Sequence, residues 1–227
     1  MKFSRIPLFF VLRAVRLAPA MGAVFLLCSC AAPVKQIDYT AFRESRPRSI
    51  LVMPPVNQSP EIKAPATFLA TSAVPLAESG YYVIPVALAE ETFKQNGVTV
   101  AEEAHAISLG KLREIFGADA ALYITITRFG ASYRLVDSVA EAEASAKLID
   151  LRSGQELWSG HAHVALGNNN SGGGLVGMLA SAVVNQIVNT VADRAHDAGR
   201  MANYRLLSAG HANSILFGPY HPKFQTD

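Results

Sequence analysis

The sequence predicts an α/β fold bordering on α+β: a mixed central sheet with an antiparallel meander, flanked by helices in three layers. Three observations predict it. An apolar run at Ser49–Met53 closes on Pro54-Pro55 and is followed by helical periods and a second β-rich run. A stretch with a period of two spans residues 139–151. Helical patterns dominate the first half and strand patterns the second, with two crossover units between, which is the order of a mixed sheet with helices packed on it. Short loops and right-handed crossovers are the expected connections.

The elements follow in order. Ser49-Ile50-Leu51-Val52-Met53 reads as a buried strand entering a proline loop. Pro65 to Ser79 reads as a helix, with Pro65 suited to its first turn, Pro75 predicting a kink or break, and Gly80 the stop. Tyr81 to Val86 is aromatic and β-branched, hence a second strand, and Ala87 to Asn96 a short helix stopped by Gly97. Ala101 to Phe116 reads as one helix with an apolar face of Ile107, Leu109, Leu112, Ile115 and Phe116, ended by Gly117. Ala121 to Phe129 carries the strongest strand signal. In Val139–Leu151, Glu141, Glu143, Ser145 and Lys147 alternate with Ala142, Ala144, Ala146 and Leu148, one wet face and one dry, so this strand is antiparallel; its Ala and Glu content would also suit a helix, but the period decides. Arg152-Ser153-Gly154 turns the chain into a third meander strand, Gln155–Val164, and after the loop of residues 168–174 Leu175 to Ala198 reads as a long helix.

The first thirty residues carry the strongest functional signal. Lys2, Arg5, Arg13 and Arg16 precede an apolar run, Leu17–Leu27, that ends in Cys28-Ser29-Cys30-Ala31-Ala32. A basic start, a short apolar core and small residues at a cleavage site describe a secretory signal, and the run is shorter than the roughly 20 apolar residues of a spanning helix. The ending resembles a bacterial lipobox, with Leu27 three before and Ser29 one before Cys30. Residues 1–29 are thus expected to be a lipoprotein signal peptide and Cys30 the lipid attachment site. Cys28 fits less well, since bulky Leu27 would then stand at the cleavage position. An ordinary signal peptide cut elsewhere is the plainer alternative. Stable anchoring takes two or more acyl chains, palmitate among them, and Ala31 in place of Asp after the cysteine implies the outer membrane by the sorting rule of such lipoproteins. Residues 30–48 read as a lipidated tether, with Pro33, Pro47 and scattered charges, and 49–227 as one globular domain in the periplasm or at the surface.

The composition narrows the function. Of 20 Lys and Arg, the leader holds four, leaving 16 against 18 Asp and Glu. A mature chain near neutrality has no long-range field for nucleic acid. With 50% apolar and 17% charged residues it has material for a core. Both cysteines lie in the leader region, so the mature chain can form no internal disulfide and offers no thiol nucleophile. No zincin, nucleophile-elbow or phosphate-loop motif is present; Gly110-Lys111 lacks the upstream glycine and the following Ser or Thr. No catalytic residue, cofactor or metal is assigned and no enzyme is expected.

Three segments have two readings each. His161 and His163, two apart on a strand, share a face and could supply two metal ligands, but no nearby carboxylate or third histidine is identifiable, and an imidazole pair on a solvated face is the plainer reading. Asn57-Gln58-Ser59-Pro60 could be a binding loop after a strand, against a plain turn. The aromatic tail Ile215–Phe224 either docks back on the domain, the favoured reading, or is presented to a partner. A fourth segment has three readings. Gly173 and Gly177 have the small-xxx-small spacing beside Leu175 and Met178. The helix they open fits a buried core, an interface between copies in a dimer or higher oligomer, or membrane insertion, in descending order.

Ser49–Ser59, Ala64–Leu69 and Pro75–Val86, with Gly117-Ala118-Asp119-Ala120, Leu148–Gly154 and the ending Gly218-Pro219-Tyr220-His221-Pro222, resemble a bacterial outer-membrane lipoprotein family of unknown function that includes a neisserial surface-antigen vaccine candidate. The likeness covers nearly all of the mature chain. More distantly, the strand, proline loop, helix and tyrosine-rich strand are similar to the curli secretion channel lipoprotein, the Lpo-type activators of peptidoglycan synthases and the amino-terminal domain of TolB. The resemblance implies a mixed sheet flanked by helices and an outer-membrane home, and transfers no catalytic residue. The expectation is a lipid-anchored, non-enzymatic binding or assembly module in outer-membrane biogenesis or transport, self-associating and in contact with other envelope lipoproteins. A subunit of an oligomeric export channel and an envelope hydrolase are the alternatives; unlike the curli channel, the chain shows no clear pair of alternating membrane hairpins.

Overall fold

The computed structural model describes residues 37–133, 138–167 and 184–226. In chain order they form α1 (Thr40–Ser45), β1 (Ser49–Val52), β2 (Val56–Asn57), α2 (Ala64–Glu78), β3 (Tyr82–Val83), α3 (Val86–Gln95), α4 (Ala101–His105), α5 (Leu109–Phe116), β4 (Ala120–Tyr133), β5 (Ser138–Asp150), β6 (Glu156–Leu166) and α6 (Val184–Leu207). The strands make one mixed sheet in the order β3-β1-β4-β5-β6, with β2 also pairing with β4. The β1, β2 and β3 pairings are parallel, while β4, β5 and β6 form the antiparallel meander read from the sequence.

Burial parity explains the layers. In β1, Ile50 and Val52 enter one core cluster and Leu51 and the following Met53 the other, as expected of a continuous apolar run buried on both faces. In β5, Ala142, Ala144, Ala146 and Leu148 face the larger core, beneath α2 and α6, while the alternate residues face outward. Helices α3, α4 and α5 cover the opposite face over the parallel strands, where Ala89, Phe93, Ala104 and Leu112 meet Leu51, Met53 and Ala121. The third layer therefore stands over the parallel half of the sheet, and among the described residues no helix covers the outer face of the meander.

Several boundaries differ from those expected. Pro75 does not break α2; the lost N–H and the crowding of the preceding turn are offset by packing, since Phe68, Ser72, Pro75 and Leu76 are all buried. The single helix expected at 101–116 is two, α4 and α5. Ser108 has extended backbone (φ −60°, ψ 140°) at the N-cap position, and its carbonyl accepts from the Leu112 N–H (3.1 Å), so α5 starts afresh there. The strand expected at 81–86 is only two residues long, since Pro85 cannot donate to a ladder and instead precedes α3. Helix α6 extends nine residues past Ala198, because Ala195, Ala198, Ala202 and Leu206 keep one buried stripe at helical spacing.

Both ends of the described chain pack on the domain. The tether was expected to run to residue 48, but Phe42 is buried in the larger core and the Tyr39 hydroxyl donates to the Ser214 carbonyl at 2.6 Å. Ile37, Tyr39 and Ala41 pack against the same core beside Phe42 and fold this segment back. The tail docks as expected: Ile215 and Leu216 are buried, Trp158 Nε1 donates to the Asn213 carbonyl (3.0 Å), and the Tyr81 hydroxyl donates to the Leu216 carbonyl (2.5 Å). In β6, Leu157 is the extra residue of a register shift opposite Leu148/Ile149, so it and Trp158 both point inward. A Cβ on Gly160 would lie 2.2 Å from the Trp158 ring, so a glycine is required there.

Candidate functional site

Pro54 and Pro55 end β1 because neither can donate to the ladder with β4. The pairing is interrupted between Met53, whose N–H donates to the Leu122 carbonyl (2.9 Å), and Val56, where β2 resumes it. Asn57 then turns the chain. Its Oδ1 accepts from the Ser59 N–H (3.0 Å) and hydroxyl (2.7 Å), while Nδ2 donates to the Glu61 carbonyl (2.9 Å). This is an Asx turn, so the polar loop of residues 57–60 folds as the plain turn. The turn leaves Ile62 at 90% exposure beside the start of α2.

The loop, α2, the start of α3 and α4 enclose a crevice of about 710 Å³ at the carboxyl ends of β1 and β3. Pro54, Pro55, Ile62, Pro65 and Leu69 form an apolar wall, and Glu90 and Glu102 supply carboxylates. In open α/β sheets this is the position where ligands bind. His105 fastens the loop from beneath: its Nε2–H donates to the Pro54 carbonyl (2.8 Å), and its ring stands edge-on to Tyr123 with centroids 4.9 Å apart. Burial pushes the His105 pKa below its ordinary value, against the opposing pull of the Pro54 carbonyl and Glu102, and keeps the imidazole neutral. Burial likewise raises the Tyr123 hydroxyl. His105 therefore positions the proline loop. The crevice wall is mostly apolar, with Glu90 and Glu102 among its lining residues.

The histidine pair lies elsewhere, on the open face of the meander. The register places Glu143 opposite His163 and Ser145 opposite His161. His161 Nε2 is 2.9 Å from Glu143 and His163 Nε2 is 3.7 Å from Glu141, while Arg128 Nε contacts Glu143 at 3.2 Å. Contrary to the expectation of no carboxylate near these histidines, the β5–β6 pairing supplies two, eighteen or more residues away in the chain. The hydrogen bond from His161 lowers the Glu143 pKa most; desolvation opposes it, and the charges of Arg128, His161 and His163 lower it further. The carboxylate is thus engaged by a cation on one side and an imidazole on the other. Among the described residues no group of three metal ligands gathers. Cys30, Gly173, Leu175, Gly177 and Met178 lie outside the described residues.

The family model described as putative lipoprotein GNA1162-like matches residues 37–220. The chain belongs to the GNA1162-like lipoprotein family. A relative described as putative lipoprotein NMB1124/NMB1162, from Neisseria meningitidis serogroup B, is 51% identical over 200 residues, covering 88% of this chain and 93% of its own. The crystal structure of lipoprotein GNA1162 from Neisseria meningitidis is 57% identical with a TM-score of 0.52, covering 63% of this chain and 99% of that one. A PelC dodecamer from Paraburkholderia phytofirmans is similar at 11% identity and a TM-score of 0.41, over 78% and 90% of the two chains. The family match begins at Ile37, which donates to Asn213, and ends at Tyr220, within the docked tail. The segment shared with GNA1162-like proteins thus includes both packed ends.

Proposed function

We propose that the protein is a lipid-anchored envelope module, held to the outer membrane through Cys30. It acts without catalysis, binding a segment of another envelope protein in the crevice at the carboxyl ends of β1 and β3, in the service of envelope assembly or transport. Membership of a lipoprotein family and the lipobox-like ending support the anchor. The observation that carries the binding role is the crevice of about 710 Å³ at the carboxyl ends of β1 and β3, where exposed Ile62 joins Pro54, Pro55, Pro65 and Leu69 in one apolar wall and Glu90 and Glu102 also line the space. The ligand is accordingly an extended segment with apolar and basic residues.

Photo-crosslinking in intact cells tests this reading. A photoreactive residue at position 62 is expected to trap a discrete partner, while one at exposed Glu114 on α5 traps none. The same pattern from both positions, or no adduct from position 62, would overturn it.

A further inference from the structure

Helices α2 and α6 pack side by side over the larger core, and their outer surfaces form a groove of about 530 Å³ lined, among the described residues, by these two helices alone. Val74 and Pro75 line it from α2, Met201 and Tyr204 from α6. Val74, Met201 and Tyr204 are 56%, 37% and 51% exposed, so three large apolar side chains meet on one outward strip. A clustered apolar patch with a charged rim is the anatomy of a protein interface.

The charges along α6 say what kind of partner fits. Asp197, Met201 and Arg205 stand four residues apart, all exposed, and so form one stripe along the helix: acid, apolar, base. Asp197 and Arg205 are equally far from Met201. A second α6 laid antiparallel, with a two-fold axis through Met201, therefore sets Asp197 of each copy opposite Arg205 of the other. A two-fold interface requires a surface complementary to itself in this way. Asp197 Oδ1 already meets Arg200 of its own helix at 3.3 Å, an exposed pair of little strength. A carboxylate has two oxygens and accepts from more than one donor, so that contact does not exclude the one across the axis.

We infer that the protein pairs with a second copy of itself across this strip, α6 against α6 in antiparallel about Met201, with Val74 and Tyr204 closing the apolar centre. The strip is separate from the crevice, and its test does not depend on the crevice having a partner.

Disulfide trapping of the full chain in intact cells tests it. Met201→Cys sets one thiol on the axis, facing its copy. Packed helices lie about 8–10 Å apart at their axes, close enough for facing cysteines to bridge. Under mild oxidation Met201→Cys is expected to form linked dimers at least about tenfold faster than the parent or Lys111→Cys, whose added thiol sits on α5 across the sheet. Asp197→Arg or Arg205→Asp, added singly to Met201→Cys, puts like charges opposite one another twice and is expected to slow linkage by about tenfold. Both changes together restore opposite charges and the rate. All three positions are exposed, so folding is retained. Linkage through position 201 no faster than through position 111, single reversals without effect, or a double reversal that stays slow would each overturn the pairing.

Discussion

Gly80 and Gly218 lie backbone against backbone. A Cβ on Gly218 would stand 2.3 Å from the Gly80 carbonyl oxygen, and one on Gly80 would stand 2.5 Å from both the backbone N and the Cβ of His221. The contact is closed by hydrogen bonds from the Gly218 N–H to the Ser79 carbonyl (2.8 Å) and from the Tyr220 N–H to the Gly80 carbonyl (3.1 Å). Gly80 also holds φ +91°, open to glycine and strained for any other residue. Gly80→Ala is expected to destabilise the domain by about 2–3 kcal/mol, a fall of about 4–12 °C in Tm at this size. Differential scanning calorimetry checks it, and an unchanged Tm would show that the tail does not depend on this contact.

Asp150 is 2% exposed and accepts from the Ser45 hydroxyl, the Arg152 and Ser153 N–H groups (2.7 and 2.8 Å) and the Arg152 guanidinium (3.1 Å). Burial disfavours its ionisation, but these donors outweigh it and hold the carboxyl far below the usual range. A carboxyl with a depressed folded pKa stabilises fully above its unfolded value near 3.9 and loses that contribution as pH falls toward the folded value. Asp150→Asn should therefore cost about 2 kcal/mol at pH 7, with the gap from the parent narrowing below about pH 4. Urea denaturation across pH reads both, and a gap that widens in acid would contradict the sign.

Asn203 fastens α6 to α2. It is wholly buried, and its Nδ2 donates to the Phe68 carbonyl (2.8 Å), Thr71 Oγ1 (2.9 Å) and Ser72 Oγ (3.1 Å). Asn203→Ala removes these three hydrogen bonds, although the Phe68 carbonyl keeps the Ser72 hydroxyl, and should destabilise by about 1–3 kcal/mol. A denaturation midpoint within error of the parent would mean that apolar packing alone aligns the two helices.

Cys30→Ser should yield a protein without incorporated palmitate that partitions into the aqueous phase after detergent phase separation, while the parent enters the detergent phase. Radiolabelled palmitate and intact-mass measurement are the readouts. A parent protein in the aqueous phase would remove the anchor.

The fold was legible where one period repeats over many residues. The alternation through β5 and the apolar run of β1 gave both strands and the meander, since burial of one face or two leaves a direct mark on composition. Features set by single residues in tertiary context were not legible. Pro75 is tolerated because its helix is packed, and Ser108 divides a helix whose apolar face looked continuous. Tyr39 and Phe42 are two aromatics in a charged segment, too few to mark it as packed. The carboxylates beside His161 and His163 depend on cross-strand register, which the chain order of β5 and β6 does not reveal. Of the crevice, the proline loop and the Asn57 turn were visible, but the position of Ile62 at its rim was not.

The clasp between the two ends has a mechanical consequence. The Ile37 N–H and the Tyr39 hydroxyl bond to Asn213 and Ser214, and the residues just beyond are stitched to the end of α2. Tension entering along the amino-terminal strap would therefore meet the carboxyl-terminal strap first, shearing these bonds together before it reached the sheet. The first resistance of the domain to a pull on its amino-terminal end is thus lent by Asn213 and Ser214.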